Sequence, residues 1–198
     1  NRQNTLEWLS AIYSSVPNTF INYHQEGPLS DDMAPHAEWT GWFAYDIVGK
    51  QMGNWNPSSE DNNDYWRVLP KKIRQAQIFI QNVKPLENQN LTLEEAERMK
   101  LEARFLIAYY YALLVEFYGA VPFTAEPIDL DAPYDVLMMQ QVPVHQVIDW
   151  IDNELLEVSK GLPASYTNPT LYGRATSLMC LAVRSRLLLL SASPLLNG

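Results

Sequence analysis

Residues 102–123 read Glu102-Ala-Arg-Phe-Leu-Ile-Ala-Tyr-Tyr-Tyr-Ala-Leu-Leu-Val-Glu-Phe-Tyr-Gly-Ala-Val-Pro-Phe123, a long apolar and aromatic run that stops at a glycine and a proline. Two apolar stripes follow the three-and-four residue spacing of a helix, one through Phe105 and Ala112 and the other through Leu106 and Leu113. A helix that is apolar on two faces must pack against neighbours on both sides. The sequence therefore predicts a central helix in a helical protein.

The start of this helix is predicted from Thr92-Leu-Glu-Glu95, which has the pattern of a capping box. In that motif the threonine hydroxyl accepts a hydrogen bond from the amide three residues later, and the glutamate side chain reaches back to the threonine amide. We expect the helix to run from about Leu93 to Tyr118.

Three further long segments and a shorter one at the N-terminus show the same helical spacing. They are residues 66–83, 144–162, 171–190 and 6–13. Pro70 is expected to begin its helix, and Gly161 is expected to stop the next one. The proline-containing segments 126–133 and 163–169 are predicted to be connectors. The predicted fold class is therefore all-α, a chain of antiparallel helix pairs.

Residues 25–63 break the helical pattern. The segment carries Trp39, Trp42 and Trp55 among Asp, Asn, Gly and Pro residues. Long loops of this kind in compact helical proteins are usually functional. Flat aromatic rings can cover the C–H faces of a sugar, while Asp and Asn side chains bond its hydroxyl groups. The sequence therefore predicts a loop-rich insertion that binds a ligand.

Composition argues against several classes of function. The 198-residue chain has a formal net charge of -9, and a nucleic-acid binder would need clustered Lys and Arg to replace counterions. The single cysteine, Cys180, excludes an internal disulfide and a cysteine-rich zinc site, and its apolar neighbours predict a core position. No apolar run reaches the ~18 residues that would span a bilayer. A chain of this length fits a single domain.

Catalytic motifs are not evident in the sequence. The neighbouring carboxylates Asp31 with Asp32, or Glu60 with Asp61, could form a glycosidase pair, but adjacent loop residues more often serve turns. No Gly-x-Ser-x-Gly motif is present, and the three histidines are too scattered to predict a metal site. We expect a binding protein rather than an enzyme, with no cofactor.

The central run and two later motifs together resemble the SusD/RagB family of surface nutrient-binding lipoproteins. The later motifs are Gly173-Arg-Ala-Thr176 and Ala182-Val-Arg-Ser-Arg186. Residues 66–76 also resemble an aromatic-rich helix of the family, although Gln77 stands where the family usually has asparagine. The resemblance implies tetratricopeptide-like helix pairs in one SusD-like domain over residues 1–198. That domain would be the N-terminal half, and so a fragment, of a larger protein.

The resemblance also implies a function. Proteins of this family capture oligosaccharides at the outer membrane of Gram-negative bacteria and pass them to a SusC-like TonB-dependent transporter. Membrane attachment would occur only through an N-terminal lipid anchor, and this chain has no N-terminal cysteine to carry it. On the resemblance, together with the residue types of the loop, we expect glycan contacts at Asp31, Asp32, Trp39, Trp42, Asn54, Trp55 and Asn56.

Three alternatives stay open at this point. A peptide-binding protein of the RagB type would offer a groove with backbone partners and carboxylates. A glycoside hydrolase fragment would turn over the bound oligosaccharide, and a helical scaffold would bury every tryptophan of the loop. Arg174, Arg184 and Arg186 are expected to pair with carboxylates or helix-end carbonyls rather than to contact a ligand.

Overall fold

The computed structural model of the chain describes residues 1–17, 53 and 65–197. The chain divides into two units, one formed by Asn1–Ser15 with Tyr65–Gly198 and the other by Val16–Asp64. All helices of the described residues belong to the first unit. The predicted insertion at residues 25–63 lies, except for Gly53, outside the described residues.

The described residues are mostly helical, which confirms the predicted all-α class. In chain order the helices are α1 (Arg2–Tyr13), α2 (Tyr65–Asn82), α3 (Leu93–Tyr118), α4 (Tyr134–Leu137), α5 (Val144–Gly161), α6 (Ser177–Ser191) and α7 (Pro194–Asn197). Two short strands, β1 (Val121–Pro122) and β2 (Gln141–Val142), form an antiparallel pair. Single 3-10 turns lie at Glu87–Gln89 and Pro169–Leu171.

Helix α3 is the centre of the first unit. It packs against α2 and α5, makes smaller contacts with α1 and α6, and contributes Leu106, Ala108 and Tyr110 to the fully buried core. This arrangement confirms that a helix apolar on two faces is covered on both. Helix α6 packs against α5, so each long helix lies against its neighbour in the chain.

Threonine caps begin two of the long helices. The Thr92 side chain accepts a hydrogen bond from the Glu95 amide at 3.1 Å, and Thr176 accepts one from the Met179 amide at 3.2 Å. The second half of the predicted capping box is wrong, because the Glu95 carboxylate instead accepts hydrogen bonds from Arg2 of α1. A long-range ion pair has replaced the local contact.

The predicted role of Pro70 is also wrong. Helix α2 begins at Tyr65, and Pro70 lies inside it. Tertiary contacts fix the first turn, because the Tyr65 ring lies edge-on to Phe117 at 4.9 Å and the Trp66 amide donates to the Tyr118 hydroxyl at 3.2 Å. These contacts set the start of the helix five residues before the proline.

Glycines influence where α6 begins and where α5 ends. The last long helix begins at Ser177, not at residue 171, because Gly173 adopts a φ of 85°, which a right-handed helix cannot contain. Gly161 is the last residue of α5, as predicted. A Cβ atom at that position would lie 2.6 Å from Cδ1 of Leu101, so its lack of a side chain also allows α5 to approach α3 closely.

The segment between α3 and α5 is not a plain connector. Val121 pairs with Val142 and Pro122 with Gln141, so β1 and β2 close a hairpin around residues 123–140. The prediction of a non-helical stretch at 126–133 is confirmed, and the short helix α4 follows it. Within the described residues, no helix is long and apolar enough to cross a membrane.

The Thr92 cap gives a first prediction. Thr92→Ala leaves the Glu95 amide without its acceptor and should lower the free energy of unfolding by about 1 kcal/mol. Thr92→Ser keeps a hydroxyl in place and should retain most of the stability. Thermal unfolding followed by circular dichroism measures both variants, and an equal loss for the two would show that the cap hydrogen bond is not the stabilising contact.

Candidate functional site

The seven predicted glycan contacts lie outside the described residues. They are Asp31, Asp32, Trp39, Trp42, Asn54, Trp55 and Asn56. The structure does describe the residues that flank this part of the chain, namely the end of α1 and the start of α2. These two flanks carry the candidate ligand-binding insertion.

The N-terminal flank is held by polar contacts at the end of α1. The buried Tyr110 hydroxyl of α3 donates to the Ile12 carbonyl, and Lys72 of α2 donates from Nζ to the Ala11 carbonyl at 2.6 Å. Both carbonyls are among the last four of α1, which have no partner within the helix. Side chains from two other helices therefore fix the point where the chain leaves α1.

The C-terminal flank is held by aromatic rings. The Tyr65 ring is buried against Phe117, while Trp66 and Tyr118 lie edge-on to each other with centroids 5.2 Å apart. Trp66 is 48% exposed and Tyr118 is 43% exposed. Half-exposed rings of this kind offer an apolar face and a polar tip to a ligand. We name Trp66 and Tyr118 the aromatic pair.

A buried carboxylate connects the N-terminal flank to the rest of the first unit. Glu102 of α3 is completely buried, and its Oε2 atom accepts hydrogen bonds from the Tyr13 hydroxyl at 2.9 Å and from Arg174 at 3.0 Å. The Tyr13 hydroxyl in turn accepts from the Ala175 amide at 2.9 Å. One charge thus joins α1, α3 and the connection between α5 and α6.

The charges around Glu102 alternate in sign. Arg98 lies 3.5 Å from Oε1 of Glu102 and 3.7 Å from Oε1 of Glu95, and Glu95 accepts a bidentate bond from Arg2. At 3.5 Å, Arg98 Nε and Glu102 Oε1 form an ion pair that lacks hydrogen-bond geometry. We call the set Arg2, Glu95, Arg98, Glu102 and Arg174 the ion network. It runs from α1 through α3 to the residues before α6.

The ion network is structural rather than catalytic. Burial, and secondly the charge of Glu102, raises the pKa of the Tyr13 phenol well above its usual value, so Tyr13 stays a neutral hydrogen-bond donor. The prediction for the three arginines is confirmed, since Arg174 pairs with Glu102, Arg184 with Asp152 and Arg186 with Glu116. Burial raises the pKa of the Cys180 thiol to about 11, which suits the predicted core position.

The chain is similar to a known protein family. A SusD-like family model, described as starch-binding and associating with the outer membrane, matches residues 4–189. The chain belongs to the SusD-like family. The family description is that of a binding protein and not of an enzyme. No curated protein matches the chain significantly.

Solved structures share the SusD-like fold. BT4246 is 27% identical, with a TM-score of 0.77 over 98% of this chain and 32% of the other. A laminarin-binding SusD-like protein is 20% identical, with a TM-score of 0.74 over 96% of this chain and 40% of the other. A SusD-like protein from Bacteroides fragilis NCTC 9343 is 22% identical, with a TM-score of 0.67 over 94% of this chain and 34% of the other. The chain therefore spans between a third and two fifths of these relatives.

The cavities in the described part of this SusD-like chain include two that adjoin α3. The hairpin cavity, about 380 Å³, lies between α2, α3 and the β hairpin, and Trp66, Gln77, Tyr111 and Met139 line it. Gln77 and Tyr111 both bond Thr124 at 2.8 and 3.1 Å, so their polar groups hold the hairpin to the helices. What they leave for a ligand is mainly apolar surface.

The second cavity, of about 580 Å³, is a groove between α3 and α6. Leucine, valine and alanine side chains line most of it, and Arg186 and Glu116, which also line it, are paired with each other. Within the described ranges, no group of three His, Cys, Asp or Glu residues could hold a metal ion.

Sequence reasoning missed the ion network and the aromatic pair. Glu102 opens the motif on which the resemblance rests, yet nothing local shows that it is buried, because its partners Tyr13 and Arg174 are 89 and 72 residues away. Trp66 falls in the segment 66–83, which the sequence predicts to be helical, and the spacing of apolar residues gives no sign that its ring is half exposed.

The ion network gives the second prediction. Glu102→Gln removes the negative charge between Arg98 and Arg174 and should lower the stability by about 3 kcal/mol, because it leaves partly buried cations without a counter-charge. Glu97→Gln is the matched control, since Glu97 forms an exposed pair with Lys100 that should contribute under about 0.5 kcal/mol.

Chemical denaturation of the full-length protein, with both variants in the same background, measures the difference. Similar midpoints for Glu102→Gln and Glu97→Gln would show that the buried charge does not hold the first unit together.

Proposed function

We propose that this chain is the N-terminal helical domain of a cell-surface protein that binds oligosaccharides and hands them to a SusC-like TonB-dependent transporter. The observation that carries the proposal is the match of a starch-binding SusD-like family over residues 4–189. The likeness to a laminarin-binding SusD-like protein supports a carbohydrate ligand. The full-length protein would sit at the outer face of the outer membrane, attached by an N-terminal lipid.

The proposed ligand site is the insertion at residues 25–63. Trp42 and Trp55 would cover the apolar faces of the sugar rings, and Asp31, Asp32 and the two asparagines beside Trp55 would bond hydroxyl groups.

The proposed activity is binding without bond cleavage. Two described residues that could take part in catalysis are not available for it, since Cys180 is buried with a raised pKa and Glu102 is held within the ion network. Neutral glucans also suit a chain with a formal net charge of -9 better than polyanionic glycans do.

The third prediction tests this site. Calorimetric titration of the complete protein with soluble starch, with laminarin and with oligosaccharides cut from each should show binding to at least one of them. Trp42→Ala and Trp55→Ala should each weaken binding by about tenfold to a hundredfold, because one buried ring contributes about 1.5–3 kcal/mol. Tyr172→Ala removes an exposed ring before α6 and should leave the affinity unchanged.

Product analysis after long incubation separates binding from catalysis. Intact oligosaccharide supports the proposal, and shortened products that disappear with Asp31→Asn or Asp32→Asn would establish a glycoside hydrolase instead. Unchanged affinity in both tryptophan variants would move the site away from this part of the chain.

A further inference from the structure

Helix α6 carries an uncharged stripe on its exposed side. Leu178, Ala182, Ser185 and Leu189 follow one another at spacings of four, three and four residues, so they lie along one line of the helix. All four are exposed, and the exposed fractions of Leu178 and Leu189 are 61% and 76%. We call these four residues the α6 stripe.

The two charged residues of α6 contact other helices instead. Arg184 donates to Asp152 of α5, and Arg186 donates to Glu116 of α3. A helix that faces water carries its charged side chains on the exposed side. Because α6 uses both of its charges to contact its neighbours, its exposed side has the composition of a buried helix face.

Helix α5 provides a comparison within the same unit. Its exposed side has Asp149, Asn153, Glu157 and Lys160 at spacings of four, four and three residues. This polar stripe is the ordinary surface of an amphipathic helix. The apolar surface of α6 therefore distinguishes that helix from its neighbour, and extended apolar surfaces of this kind mark interaction sites.

The groove between α3 and α6 adjoins the α6 stripe. Ala182 and Leu189 belong to the stripe and also line the groove, whose volume is about 580 Å³, together with Leu113 of α3. Helix α6 packs closely against α5 and only lightly against α3, which leaves this space between them. An apolar groove between two helices is suited to the apolar face of a third, amphipathic helix.

We propose that the α6 stripe and this groove are covered, in the full-length protein, by the apolar face of a helix that belongs to the same polypeptide and lies outside residues 1–198. The inference rests on the proposed function, which takes this chain as one domain of a longer protein. The lengths of the relatives support it. BT4246 matches 98% of this chain over 32% of its own length, so about two thirds of that protein has no counterpart here.

A covering helix would give α6 neighbours on both sides, as α3 already has. The helical domain and the remainder of the protein would then share one apolar core. A glycan is a poorer occupant, because the α6 stripe offers a single hydroxyl group, that of Ser185, and no aromatic ring.

The fourth prediction measures whether the α6 stripe is covered in the full-length protein. The buried Cys180 is first replaced by alanine, and single cysteines are then introduced as Leu178→Cys and Leu189→Cys. Glu97→Cys and Glu157→Cys are the matched controls, at exposed charged positions on α3 and α5. The rate of maleimide labelling is measured for each folded variant and for the same variant unfolded in urea. Light scattering gives the mass of the protein at each concentration used.

We expect the two stripe thiols to be labelled at least about a hundredfold more slowly in the folded protein than in urea, because labelling would wait for local opening. The control thiols should be labelled within about threefold of their rates in urea, because they need no opening. The protection should not change with protein concentration, and the protein should stay monomeric. A photoreactive amino acid in place of Leu189 should crosslink to a peptide of the same polypeptide outside residues 1–198.

Contrary outcomes overturn the inference in distinct ways. Stripe thiols that are labelled as fast as the controls would show an open face, and a crosslink from position 189 to residues 1–198 would identify a different cover. Protection that is lost on dilution, together with the mass of a dimer, would make a second copy the occupant. None of these readouts depends on a glycan, so calorimetric titration of the unlabelled protein tests the proposed function separately.

Discussion

The first unit depends on one buried negative charge. Glu102 is fully buried in the middle of α3, and it stays compatible with the core because Tyr13 and Arg174 donate to it and Arg98 lies beside it. A buried carboxylate without such partners would cost several kcal/mol. Apolar packing alone would allow helices to slide by small steps, whereas these directional bonds define where α1 and the residues before α6 meet α3.

The hydrogen bonds to Glu102 connect the core to the end of α1, after which the chain continues towards the candidate site. Tyr13 is the last residue of α1, so the bond that satisfies Glu102 also fixes the N-terminal flank of the insertion. The C-terminal flank is fixed by Tyr65 and Trp66 against rings at the end of α3. The last residue of α1 and the first residues of α2 are therefore both held by α3.

Local patterns in the sequence predicted the helices well, and long-range contacts account for what they missed. The spacing of apolar residues and the Thr92 cap located α3 to the residue, because both signals lie within the helix itself. The start of α2, the partner of Glu95 and the burial of Glu102 depend on residues far away in the chain, so no local pattern could reveal them. The predicted glycan contacts rest on resemblance and residue type, and they stay predictions.

The central claim is that a helical domain fixed by Glu102 carries the glycan-binding segment between its α1 and α2 helices. A crystal structure of the complete protein with a bound oligosaccharide tests it most directly. The account predicts sugar rings stacked on at least one tryptophan among Trp39, Trp42 and Trp55, with Asp31 or Asp32 within hydrogen-bond distance of a hydroxyl. An oligosaccharide bound without any contact to residues 25–63 would contradict it.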